Sequence, residues 1–332
     1  MYKVVSLFAG CGGCDQGIVG DFTFNQKYYN RLPFELTYAL DIDQKALNTH
    51  KLNFECRQSV CGDICKITSD EIPECDILVG GFPCQSFSTV NPTKDPFDDR
   101  ANLYKQMVRM AKDKQPKVII AENVKGLLTL HKGQIFTRIK KAFEEAGYVL
   151  SYKLLNAANF GVPQKRERVI IVGFRKDLGI KFDFPKETNL NDWVPLSVAV
   201  SKLAIAEQKY YFSKRAVEGM KNAKPNMKRG LWQRLDEPCL TVTSHLAKVS
   251  LNSRDPVLLV DPEKELYRRF TPREAARIQS FPDEFVFAGS ETDAYRQIGN
   301  AVPPVLFWHI CNKVSKYLRN HEQMENSNTS SC

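Results

Sequence analysis

No apolar run in this chain approaches the roughly eighteen residues that a membrane-spanning helix needs, so no membrane partner is expected. No leader is expected either: Met1-Tyr2-Lys3-Val4-Val5 runs straight into a strand pattern, which reads as leaving no room for a signal peptide. Without an export signal, the ten cysteines read as reduced thiols of a cytoplasmic protein rather than a disulfide framework. Cys11-x-x-Cys14 has no second Cys-x-x-Cys or Cys-x-x-His at useful spacing, which disfavours a metal. The dinucleotide-binding fingerprint lacks its last glycine: Gly10 and Gly12 fit, but position 15 is Asp, which disfavours a nicotinamide cofactor. No internal repeat is visible.

What is present points to an enzyme. The 332 residues, 43% hydrophobic, are enough for one large domain and a smaller one. Strand patterns fall at Lys3–Phe8, Glu35–Leu40, Asp76–Val79, Lys117–Ala121 and Arg168–Phe174, several of them near-continuous Val/Ile/Leu runs. Helical stripes fall between them at Asn102–Lys114 and Gln134–Ala146. The alternation predicts an α/β fold, a doubly wound and mostly parallel sheet spanning 1–174. After Phe174 it stops, and 175–265 reads as a smaller, irregular domain. Thr271-Pro272-Arg273-Glu274 is a capping box opening a helix over Pro272–Ser280. A last apolar helix near Val305–Leu318 completes a returning segment, 266–319, and the polar tail 320–332 is expected to be disordered.

Five short motifs sit at predicted strand ends, where open sheets bind ligands. Phe8-Ala9-Gly10-Cys11-Gly12-Gly13 follows the first strand; such a turn admits a ligand close to the backbone, although tight packing asks for the same glycines. Asp41 and Asp63 end the next two strands and suit a ribose diol and an adenine amine, or equally a helix cap or turn. Gly80-Gly81-Phe82-Pro83-Cys84-Gln85 presents one thiol at the rim. Glu122-Asn123-Val124 brings a carboxylate beside it, or else forms a capping pair. In Gln164-Lys165-Arg166-Glu167-Arg168 the alternation of an extended chain puts both arginines on one face, aimed at the rim or salt-bridged on an edge strand. Gln297-Ile298-Gly299-Asn300-Ala301-Val302 reads locally only as a turn.

The net charge of +9 is concentrated: between Gln208 and Arg234 eight basic residues face one acidic, interleaved with Tyr210, Tyr211, Phe212 and Trp232. That is either a solvated surface or a phosphate-backbone contact.

In order and spacing these motifs resemble those of the DNA cytosine-5 methyltransferases, over Lys3–Phe174 and about Arg268–Leu318. The resemblance implies an adenosylmethionine-dependent methyltransferase fold of Rossmann-like type, with 175–265 as the target-recognition domain. It implies Cys84 as the nucleophile, Glu122 on N3 and the exocyclic amine of a flipped-out cytosine, Arg168 on O2, and Arg166 in support. It places the donor, S-adenosylmethionine (product S-adenosylhomocysteine), against Phe8, Ala9, Gly10, Gly12, Gly13, Asp41, Ile42, Asp63, Ile64, Pro83, Asn300 and Val302. Asp41 stands where the family often has Glu, and Ile42 where it often has an aromatic ring. Residues 86–100 resemble a mobile loop closing over the base. Expected DNA contacts are Gln85, Ser88, Lys209, Lys214, Arg215, Lys228, Arg229, Arg234, Thr241 and Thr243. The size resembles a bacterial restriction-modification enzyme: a nucleoid-associated monomer on double-stranded DNA, with a companion endonuclease at the same site and no stable complex between them. Two alternatives stay open, methylation of tRNA cytosine and a catalytically silent DNA-binding relative.

Overall fold

The computed structural model describes residues 1–83, 103–200, 207–222, 233–248 and 256–329. Its centre is a sheet of seven strands: β1 (Tyr2–Leu7), β2 (Phe34–Asp41), β3 (Gln58–Cys61), β4 (Ile77–Gly80), β5 (Val118–Val124), β6 (Tyr148–Asn156) and β7 (Glu167–Arg175). In space they run β3-β2-β1-β4-β5-β7-β6. The contacts among β1 to β5 are parallel, whereas β7 runs antiparallel to both neighbours. The order reverses between β1 and β4, which opens a crevice beyond their carboxyl ends.

Consecutive apolar residues form both layers. Val4, Ile77, Val79, Val118 and Ile120 face a core closed by the helices α1 (Gly13–Val19) and α8 (Pro304–Thr329). Their neighbours Val5, Leu78 and Ile119 face the opposite core, under α3 (Tyr104–Lys114) and α4 (Gln134–Glu145). A strand buried on both faces cannot show polar alternation, hence the continuous apolar runs. The fit of α1 on α8 depends on Gly17, where a Cβ would lie 2.7 Å from the Pro304 carbonyl oxygen.

Several elements depart from expectation. β6 carries no clean pattern because it is an edge strand, half-exposed along most of its length. α2 (Gln44–Asn53), capped by Asp43, has a weak apolar stripe. The segment around Gln297 is helix rather than turn: α7 (Glu291–Asn300) holds Gly299 because a Cβ there would lie 2.2 Å from the Thr243 and Ser244 backbone. Within the polar tail, α8 continues as far as Thr329, with a His321–Glu325 contact one turn apart and Glu322 facing Lys117.

Among the described residues, the buried ones between 196 and 258 do not close a core by themselves. Leu196, Cys239, Val242 and Leu258 pack with Phe270, Phe281, Tyr295 and Ile298, around α6 (Pro272–Ile278) and α7. Helix α5 (Lys214–Lys221) joins a small satellite cluster through Val217, with Val257 and Tyr267. No described helix is long and apolar enough to cross a membrane.

Candidate active site

A cavity of about 440 Å³ opens in the crevice between β1 and β4, within the usual range for small-molecule sites. Its floor is the exit of β1. Phe8 lines it with φ +55°, a strained conformation for a residue with a side chain. Gly10 follows at φ +57°, with nothing within 4 Å of where a Cβ would stand. The other two glycines have packing reasons. Gly12, at φ +93°, has the Phe54 ring at 2.2 Å from its missing Cβ and is not among the residues lining the cavity. A Cβ on Gly13 would meet the Val302 carbonyl oxygen at 2.6 Å, so this glycine seats the returning chain against α1. Ala9 lines the same floor. Cys11 and Cys14 also face it; burial pushes the Cys11 thiol up to about 12, and its Sγ lies 3.7 Å from the Gln297 carbonyl oxygen.

The ends of β2 and β3 supply the next side. Asp41 accepts the Gly10 N–H at Oδ2 and the Asp43 N–H at Oδ1, both 2.8 Å. Burial nevertheless raises its carboxyl above the usual range, partly countered by those two donors. Ile42 lines the cavity with 73% of its surface exposed, an apolar side chain poised to cover an apolar ring. Asp63 accepts the Cys65 N–H at 3.0 Å, and Ile64 is buried beside it. Asn300 and Val302 close the cavity from the C-terminal side. An open backbone turn, two carboxylates and an exposed aliphatic face fit a nucleoside-bearing donor.

The other end of the cavity lies at β4, β5 and β7. Gly80 pairs with Ala121 and Ile170 with Glu122. Arg168 Nε meets Glu122 Oε1 at 2.8 Å, with the two side chains only 13% and 14% exposed. Burial pulls the Arg168 guanidinium below its ordinary value, and the Glu122 charge opposes that shift. Gly81 leaves room for the carboxylate: a Cβ there would sit 3.2 Å from Glu122 Oε2. Asn123, in the Glu122-Asn123-Val124 motif but given no role there, donates from Nδ2 to the Phe82 carbonyl at 2.9 Å and fixes the approach to Pro83, itself a lining residue. Cys84, Gln85 and Ser88 lie outside the described residues, as do 86–100, Lys228 and Arg229.

Arg166 borders the same cavity, but its donors turn away from it. NH1 donates to the Val242 carbonyl (2.9 Å), and NH2 to those of Gly299 (3.0 Å) and Ala301 (2.9 Å). Burial and the neighbouring Arg168 charge push its guanidinium down, so those carbonyls are what makes the site tenable. Gln164 extends the joint, accepting the Val242 N–H at 2.9 Å and donating to Gln279 at 2.8 Å. Alternation placed both arginines at the rim; it could not distinguish a guanidinium facing a carboxylate from one consumed by backbone.

The remaining residues with expected DNA contacts are spread out. Thr241 donates to the Lys165 carbonyl at 2.9 Å, and the Thr243 backbone rides on Gly299, so both lie next to the site. Lys209 is held by Glu291 (2.6 Å) and Glu207 (2.7 Å), and Arg234 by Asp236. Lys214 and Arg215 are exposed on α5.

The sequence matches the family C-5 cytosine-specific DNA methylase over residues 2–316. It is 34% identical to the Type II methyltransferase M.FnuDI of Fusobacterium nucleatum, covering 97% of each chain. It is 36% identical to M.NgoFVII of Neisseria gonorrhoeae, over 91% of this chain and 83% of that one. The fold is shared with a DNMT2 mutant of Spodoptera frugiperda (TM-score 0.76, 18% identity, 95% and 99% covered). It is also shared with the Entamoeba histolytica methyltransferase EhMeth (TM-score 0.73, 17% identity, 96% and 99% covered). With strand order, rim chemistry and these likenesses in agreement, the chain belongs to the C-5 cytosine-specific DNA methylase family.

Proposed function

We propose that this enzyme methylates carbon 5 of a cytosine at a short site in duplex DNA, using S-adenosylmethionine and releasing S-adenosylhomocysteine. The observation that carries the reading is the Arg168–Glu122 pair, held at 2.8 Å beside Gly81, three residues before Cys84 in the sequence. Carbon 5 of cytosine is a poor nucleophile, and carbon 6 is inaccessible in a stacked duplex, so the base must be flipped out. The Cys84 thiolate adds to C6, forming the S–C6 bond and moving the C5–C6 π electrons to C5. Glu122 engages N3 and the exocyclic amine as density enters the ring, while Arg168 donates to O2 and holds the Glu122 carboxylate in place. The bound donor supplies an electrophilic methyl group. A base then takes the C5 proton, the electron pair reforms C5=C6, and the Cys84 thiolate leaves.

On this reading Phe8, Ala9, Gly10, Asp41, Ile42, Asp63, Ile64, Pro83, Asn300 and Val302 hold the donor. Gly13 borders the same cavity, whereas Gly12 shapes the turn from behind. Arg166 acts as a positioning residue, tying 164–168 to the segment above. Residues 175–265 select the target, with Thr241 and Thr243 nearest the reacting base and the basic residues on the backbone. Protection of a host genome at a site shared with an endonuclease follows from the Type II relatives. The Glu122–Arg168 pair argues against a silent DNA-binding relative.

The test is transfer of labelled methyl to unmodified duplex DNA and, in parallel, to bulk tRNA, with bisulfite sequencing of the DNA product. Label at one recurring short DNA sequence is expected. Label confined to tRNA would overturn the substrate, and no label in either would overturn the activity.

A further inference from the structure

The side of the cavity that carries Asp41 is closed by chain 248 residues distant in sequence. Helix α2 starts at Asp43, whose Oδ1 caps it by accepting from the Lys45 and Ala46 N–H groups. The other oxygen, Oδ2, faces Arg296 of α7 at 2.9 Å. One turn earlier on α7, Asp293 receives Lys45 Nζ on both carboxylate oxygens, at 3.0 and 2.9 Å, and lies 3.5 Å from Arg296. Four charges thus alternate across the two helices: Lys45, Asp293, Arg296, Asp43.

Beneath them the contact is neutral. Thr49 donates to Gln297 Oε1 at 2.6 Å and accepts the Ala288 N–H at 2.8 Å. That buried layer fixes where α7 sits. The charged layer is different: Lys45 is 59% and Arg296 45% exposed, so solvent and salt reach both. Arg296 and Asp43 line the cavity next to exposed Ile42, where the cavity meets solvent and a nucleoside would pass.

We propose that Lys45, Asp293, Arg296 and Asp43 form a charge latch that closes the cavity over the methyl donor, with Lys45 and Arg296 as positioning residues that set how tightly the donor is held. The proposal rests on the reading of this cavity as the donor site. Exposed ion pairs are individually weak and screened by salt, as suits a contact that opens at every turnover while the neutral layer persists. Asp43 and Asp293 also cap their helices, so the cations are the clean handles: their removal leaves both caps intact.

The experiment is titration calorimetry of the full chain with S-adenosylhomocysteine and with S-adenosylmethionine, at low and high salt. It compares wild type, Lys45→Met/Arg296→Met, and the conservative Lys45→Arg/Arg296→Lys. Wild-type affinity is expected to fall roughly threefold to tenfold between low and high salt, the scale of two coupled surface pairs. The Met variant should show the weaker affinity already at low salt and little further dependence; the conservative variant should restore most of the difference. In steady-state assays the donor KM should rise by the same factor while kcat at saturating donor moves less than about twofold. Both nucleosides should weaken together. Unchanged affinity and salt slope would overturn the latch, as would unchanged binding of net-neutral S-adenosylhomocysteine with tighter binding of cationic S-adenosylmethionine, which is the mark of a field effect. Should the double variant fail to fold, the wild-type salt slope and single Lys45→Met decide. A wild type that binds neither nucleoside would overturn the donor reading itself, a failure distinct from that of the latch.

Discussion

The two walls of the cavity are built in different ways. The floor, from Phe8 to Gly13 and out to Asp41, comes from strand ends and their turns; its decisive contacts are backbone donors onto one carboxylate and glycines where a side chain would collide. The opposite wall is assembled from Arg166, Arg168 and 296–302, with 239–244 packed behind it. One buried guanidinium and a chain of glutamines hold those segments together through backbone carbonyls. A wall made by one sheet's topology fixes a ligand common to all turnovers. A wall joined from distant segments can carry a variable reading surface on a constant frame, provided the joint is strong.

The reactive edge is where the two walls meet, and breaking it gives the largest effect. Glu122→Gln should lower kcat by roughly 10²- to 10⁴-fold, the usual contribution of a positioned acid or base, with donor affinity preserved. Stopped-flow or single-turnover methylation checks this, and a loss under tenfold would remove Glu122 from the chemistry. Next comes the joint. Arg166→Met leaves the Val242 and Gly299 carbonyls without the Arg166 donor and Ala301 with Gln279 alone, and should cost roughly 3 kcal/mol by denaturant titration. A cost below about 1 kcal/mol would mean that the walls are held elsewhere.

Two glycines sharpen the contrast. Gly299→Ala drives a methyl into the Thr243–Ser244 backbone and should destabilise by roughly 2 kcal/mol, with methylation falling as the wall shifts. Gly10→Ala has open space and meets only the left-handed strain, about 1 kcal/mol. Its main effect should appear in calorimetry as weaker donor binding. If the two variants exchanged these signatures, the roles assigned to the walls would be reversed.

The floor was legible in the sequence and the facing wall mostly was not, for physical reasons. Val/Ile/Leu runs reveal strands buried on both faces, and a motif directly after such a run lies at the rim by topology alone. Phe8, Gly10, Asp41 and Glu122 were accessible in that way, whereas Asp63 follows a short, half-exposed strand. Gly299 misled because glycine in a polar stretch reads as a turn, whereas here it admits another segment's backbone into a helix. β6 was missed because an edge strand exposes polar side chains on both sides. Asn123 and Arg166 act through carbonyl groups, and a carbonyl leaves no trace in residue type. The charge pairs between α2 and α7 join residues 248 apart, a separation that no local pattern spans.

On the reading proposed above, the enzyme performs covalent chemistry on cytosine through Cys84. The most direct measurement uses duplex DNA carrying 5-fluorocytosine at the target, incubated with enzyme and S-adenosylmethionine and then denatured. Fluorine at C5 cannot leave as a proton does, so elimination of the thiolate is blocked and the adduct persists. The account predicts a denaturant-resistant protein–DNA complex that requires the donor and is lost in Cys84→Ser. No complex with the active wild-type enzyme, or an equal yield from Cys84→Ser, would contradict it.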